Sequence, residues 1–209
     1  MLLRRPERIA ALLTALEDGK LRRSDLSASQ VDFLRKRPDP VLRERVVRVL
    51  GQLPSGSRED VVRSFSEALT LAGRAEHGRT IYAERCSSCH RLAREGYALG
   101  PDLETVRASG KDALLTNLLD PNREVMPKYV NYLAETKEGE TYTGLIANET
   151  EPSVVLHQPN GNEITLRRSN IQQFRSLGQS AMPEGLEQGL TTQDIADLME
   201  YILTAKASQ

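Results

Sequence analysis

Residues 86–90 read Cys-Ser-Ser-Cys-His, and Cys86 and Cys89 are the only two cysteines among 209 residues. No disulfide framework can therefore staple this chain, and its one sulfur pair must serve locally. The pentapeptide admits a metal clip, a redox dithiol, a haem attachment site or coincidence. A structural zinc site needs four ligands, usually from two such pairs. No second cysteine pair exists, and His77 and His157 are not spaced as one. A thioredoxin-like dithiol expects a βαβ context with a helix after the motif, whereas here a helical pattern leads into it. A disulfide across two residues is strained. For haem attachment the spacing is economical. Two thiols one helical turn apart reach both vinyl groups of a porphyrin edge, and the following histidine falls beneath the iron.

The surrounding pattern is mainly helical. "MLLRRPERIAALLTALEDGK" places Ile9, Leu12, Leu13 and Leu16 on one face, while Arg8, Glu17 and Asp18 break any resemblance to a signal peptide. "SASQVDFLRK" opens on capping serines. "DPVLRERVVRVLG" has Asp39 as N-cap, Pro40 in the first turn and Gly51 as stop, and "SREDVVRSFSEALTLAG" repeats the scheme. Paired helices of this kind predict a helical lead-in over 1–72, either generic or the end of a HEAT-like repeat array. Residues 1–72 carry 14 basic and 10 acidic side chains, and 73–209 carry 14 and 19. That shift from +4 to −5 places a domain boundary near 73. The overall charge of −1 excludes a strongly basic nucleic-acid binder, and no run approaches the ~20 apolar residues of a membrane span.

From 73 to 209 the chain reads as helix, strand, helix. "AEHGRTIYAERCSSCH" and "SGKDALLTNLLDPNRE" are helical, the latter ended by Asp120-Pro121. Residues 129–175 switch to short β-branched and aromatic runs separated by "KEGE", "ETEP" and "NGN", which predicts about five antiparallel strands in a small sheet or open barrel. "TTQDIADLMEYILTAK" is a final helix with a capping box from Thr191 to Asp194.

These pieces carry a resemblance to class I cytochromes c. Gly78 and Tyr82 precede the motif, "LGPDL" with Gly100, Pro101 and Leu103 follows it, and "SAMPEGL" holds Met182 and Pro183. The closing "IADLMEYIL" supplies Leu198 and Tyr201. The resemblance covers 74–125 and 177–206. It implies a cytochrome c-like helical haem domain with an inserted antiparallel sheet, and one haem c held covalently by Cys86 and Cys89. It further implies that His90 is the proximal ligand oriented by the Pro101 carbonyl, that Met182 is the sixth ligand, and that Gly78 lies where Leu198 and Tyr201 cross. Met126 also precedes a proline and is the alternative sixth ligand, with His157 a further one; Met199 reads as core. "DPNREVMPKYVNYLAETKEGETYTGLIANE" is similar to a haem-binding domain of planctomycetes and verrucomicrobia, found at the C-terminus of long exported proteins.

The resemblance implies an electron carrier and not an enzyme, since the sequence holds no nucleophile triad, phosphate loop or paired acids. Its partner is then a redox protein or an upstream dehydrogenase domain of the same polypeptide. Its place is the periplasm or cell envelope, with this chain a part of something longer. A haem domain with an open sixth site, or a docking module, are the rival expectations.

Overall fold

Local chemistry delimits the first helices as their sequences predict. In the computed structural model, which describes residues 2–51 and 57–206, α1 spans Pro6–Glu17, α2 Ala28–Arg35 and α3 Pro40–Leu50. Asp39 accepts the backbone N–H groups of Val41 and Leu42, and Gly51 leaves the helix at a φ of 74°. Ser27 and Gln30 form a capping box on α2. Ile9, Leu13, Leu34, Val46 and Leu50 then close one apolar cluster.

The next stretch departs from the single helix that its sequence suggests. Helix α4 spans Arg58–Ser64 and breaks at Phe65 into a 3-10 turn over Ser66–Leu69. The tighter turn brings Ala68 to full burial with Phe65 and Leu69 beside it. Val62, Phe65, Ala68, Leu69 and Leu71 share their apolar cluster with the residues around the cysteine motif, so the packing divides earlier in the chain than the charge does.

That second cluster is built by α5 (Ala75–Arg85), α6 (Leu103–Val106), α7 (Gly110–Leu119) and α8 (Thr192–Thr204). Helices α5 and α8 cross at Gly78. A Cβ there would lie 2.0 Å from the Asp197 carbonyl oxygen and 2.8 Å from Tyr201 Cβ, so only glycine permits this approach. One helical turn on, Tyr82 and Tyr201 pack with ring centroids 5.5 Å apart. Asp197, fully buried on α8, is the electrostatic half of the crossing. It accepts from the Arg74 backbone N–H at 2.7 Å, the Arg74 guanidinium, Gln193 Nε2 at 2.8 Å, and His77 Nδ1 at 2.9 Å.

Burial alone would raise the Asp197 carboxyl, but the hydrogen bonds from Gln193, Arg74 and His77 outweigh it and hold the group well below the usual carboxylate range. Its stabilisation is therefore complete above the unfolded value near pH 4 and is lost as pH falls through the folded one. We expect Asp197→Asn to flatten the acid limb of the stability curve below about pH 4. Urea unfolding across that range checks it, and parallel acid limbs in the two proteins would count against the role.

A small antiparallel hairpin, β1 (Arg91–Leu92) with β2 (Glu95–Gly96), follows the motif. The five strands expected in the insert are β3 (Val130–Thr136), β4 (Thr141–Glu149), β5 (Ser153–Gln158), β6 (Asn162–Arg167) and β7 (Ile171–Ser180). They form one antiparallel sheet in the order β6-β5-β4-β3-β7. The Pro-Asn-Gly turn joins β5 to β6, with Asn160 at a φ of 62°. Strands β6 and β7 are the two edges, so the sheet is open. Tyr132 stacks on Phe174 at 5.5 Å over a small core of Ala134, Tyr142, Val154, Leu156 and Leu166. The helical expectation fits, and the five-stranded sheet stands beside the helices as a layer of its own.

Candidate functional site

The cysteine motif begins where α5 ends. Cys86 is the C-cap of α5, and the Cys89 and His90 N–H groups fold back onto the Cys86 carbonyl at 3.0 and 2.8 Å. This short turn brings both thiols and the imidazole to one wall of a cleft of about 610 Å³. Gly100, Pro101 and Leu103 line the same cleft, as do Met182 and Met126. Tyr82 does not reach it. Its hydroxyl lies behind the motif, 2.8 Å from the His90 carbonyl and 2.9 Å from that of Glu95. This bond ties α5 to the β1–β2 hairpin.

His90 is held in one orientation. Its Nδ1 donates to the Pro101 carbonyl at 2.8 Å, which leaves the lone pair on Nε2. Burial lowers the imidazole pKa, only partly offset by that hydrogen bond, so the ring is neutral and able to coordinate. Gly100 makes room for it: a Cβ there would sit 2.5 Å from His90 Cε1. The Gly100 N–H also donates to the Cys89 carbonyl at 2.7 Å, which brings the Gly-Pro loop back across the imidazole.

Both cysteines are free thiols. Burial, with the neighbouring Cys89 charge adding to it, pushes the Cys86 thiol up to about 12. Cys89 is also raised by burial, against hydrogen bonds from the Ser88 and Ser29 hydroxyls. Neither thiol is set up as a free thiolate nucleophile.

Met182, which lines the same cleft, lies in the loop between β7 and α8, with its N–H on Ser180 Oγ at 3.1 Å. Sequence reasoning missed the residues that fix this loop. Asn122 Oδ1 accepts the Ser180 N–H at 2.8 Å, and its Nδ2 donates to Glu184. Arg85 donates to the carbonyls of Leu186 and Gln188 at 2.8 and 3.0 Å. Arg58 of α4 pairs in a bidentate manner with Glu187 at 3.0 and 3.1 Å and also donates to the Leu119 carbonyl. Their partners are 58 to 129 positions away in sequence, a distance over which no local pattern signals a contact.

The other candidates lie elsewhere. Met126 is 56% exposed, on the lip of the cleft, and Met199 is buried in the α5–α8 core. His157 lies on β5 against Glu163 at 2.6 Å and does not line the cleft. His77 is taken up by Asp197.

Fold and cleft together define a helical cofactor domain with a Cys-x-x-Cys-His wall. The cytochrome c family model matches residues 75–144, so this segment is of the c-type cytochrome kind, and its cofactor is covalently bound haem c. No curated protein matches the chain. The family match takes in α5, the motif, α6, α7, β3 and the start of β4. Met182 and α8 lie beyond it and rest on geometry alone. The residues present fit a haem. His90 Nε2 is the free imidazole nitrogen, Gly100 leaves the ring space that a Cβ would fill, and the cleft is walled by Leu114, Leu118, Leu186 and Ile202.

Proposed function

We propose that residues 75–206 form a monohaem electron-transfer module, with residues 58–72 serving as part of its core. Haem c supplies reversible one-electron exchange between ferrous and ferric iron. In this reading Cys86 and Cys89 would hold the group by thioethers, and His90 and Met182 would ligate its iron. The observation that carries it is the convergence of both thiols, the Pro101-oriented imidazole and Met182 on a single apolar cleft. Leu103, Leu114 and Leu118 exclude water, and the Pro101 carbonyl raises the basicity of the imidazole it holds. A thioether is a soft, neutral ligand that favours the reduced state. The exposed Met126 is a less constrained competitor.

The module resembles the C-terminal haem domains of long exported bacterial proteins, a resemblance that supports a periplasmic or cell-envelope location. It would accept electrons from a redox protein or from a dehydrogenase domain of the same polypeptide.

Protein matured with its haem-attachment machinery should give a c-type pyridine haemochrome band and the added mass of one haem on the intact chain. Matured protein that lacked both would refute the reading. Slow carbon monoxide binding by the reduced form is expected if Met182 must first leave, whereas immediate binding would favour an open sixth site.

A further inference from the structure

A second cleft, of about 850 Å³, lies between the N-terminal helices and the sheet. Its volume falls in the range of small-molecule sites. One wall is α1 and α2; the other is the face of β3 and β4 that carries Asn131, Thr141 and Thr143, together with the Pro159–Asn160 turn. Ser29, Leu99 and Ala181 line both this cleft and the cofactor cleft, so the two share a wall.

Two of its lining side chains are buried without a partner. Asn131 is 5% exposed and Thr141 is 1% exposed, and neither Asn131 Oδ1 nor Thr141 Oγ1 makes a hydrogen bond. A buried polar atom left unpaired carries its full desolvation penalty, so such atoms at a cavity wall point to something that fills it. The charge of the lining is positive. Arg4 is held over the Tyr142 ring at 4.6 Å, and Arg8 has no ion pair among the described residues. Asp32, the one acid that lines the cleft, is already paired with Lys36 at 2.8 Å. The remaining polar lining is neutral amide and hydroxyl, as in Gln30, Thr143 and Asn162.

We propose that this cleft binds a small polyhydroxylated organic acid, its carboxylate toward Arg4 and Arg8 and its hydroxyls toward Asn131 and Thr141. Two arginines four residues apart in the lining call for an anion. A wall of amides and hydroxyls with unsatisfied acceptors calls for a ligand with several O–H donors. The inference does not depend on the haem ligands, because binding is read by heat and not by redox chemistry.

The test is isothermal titration of the haem-loaded protein with D-gluconate, with sorbitol and succinate as comparators. Gluconate is expected to bind with a dissociation constant of about 1 mM or tighter, and each comparator about tenfold more weakly, since sorbitol lacks the charge and succinate the hydroxyls. Arg8→Gln and Thr141→Val should each weaken gluconate binding by about tenfold. Arg8 is exposed on α1, so that variant keeps the test decisive even if Thr141→Val fails to fold. No heat with gluconate would overturn the proposal, leaving a cleft that holds water only. So would gluconate binding unchanged in every variant that folds, or succinate binding as tightly as gluconate.

Discussion

Met182→Ala is expected to abolish the near-infrared sulfur-to-iron band of the oxidised protein and to lower the reduction potential by on the order of 100 mV. The expectation follows from where the loop puts the side chain. Met182 shares the cleft with His90, and its backbone is pinned through Ser180 and Asn122 to the end of β3's partner strand. Losing a soft neutral ligand removes the preference for the reduced iron, so the direction of the shift is fixed by the chemistry. Met126→Ala is the control, because Met126 also lines the cleft but is 56% exposed. The band should survive in that protein. If it instead survived in Met182→Ala and vanished in Met126→Ala, the sixth-ligand role would move to Met126.

Arg58→Met should destabilise the protein by about 3–5 kcal/mol, a fall in Tm of roughly 10 °C for a chain of this size. Arg58 is 15% exposed and Glu187 6%, so removing the guanidinium leaves a carboxylate buried without its cation. The variant also strips the Leu119 carbonyl of its donor at the end of α7. A second effect follows from position, because Glu187 sits five residues beyond Met182 in the same loop. The sulfur-to-iron band should weaken along with the stability. Adding Glu187→Leu should restore much of the lost stability, since a buried pair replaced by apolar groups is often neutral. Differential scanning calorimetry of the single and double variants separates these outcomes. A single variant melting within about 1 °C of the parent would remove Arg58 from this role.

What could be read from the sequence was what local chemistry determines. Asp39, Pro40 and Gly51 gave both ends of α3, and Asp120-Pro121 gave the end of α7. The five strands of the insert were legible because each is short, β-branched or aromatic, and bounded by turn residues. The β1–β2 hairpin was not. Its turn puts Ala93 and Arg94 at φ values of 51° and 69°, where asparagine or glycine would normally announce such a turn. The early end of α4 was equally hidden, because nothing in "VVRSFSEAL" forbids a helix and the break comes where the segment packs against α7 and α8. At the site, the motif and the Gly-Pro loop are close neighbours in sequence and could be read together. Arg58, Arg85 and Asn122 could not, because an arginine on a helix reads as a solvated face until the loop it holds is seen. His157 illustrates the reverse case. Its residue type made it a candidate ligand, and its strand carries it to Glu163 instead.

The pairing of β3 with β7 has a consequence for chain connectivity. His90 and Met182 are 92 positions apart, yet Val130 and Ser180 are directly opposed in the sheet. The excursion over residues 131–179 therefore begins and ends at almost the same point in space. Seen from the cleft, it is a closed side loop, and the connecting length that must be ordered to bring His90 and Met182 to one cleft is about half the nominal separation. The entropic gain is modest, about 0.6 kcal/mol for a halving of loop length. The freedom it confers is larger. Turns between β4, β5 and β6 can lengthen or shorten without displacing either side chain, because the sheet's first and last strands in the chain keep the entry and exit points of the insert side by side.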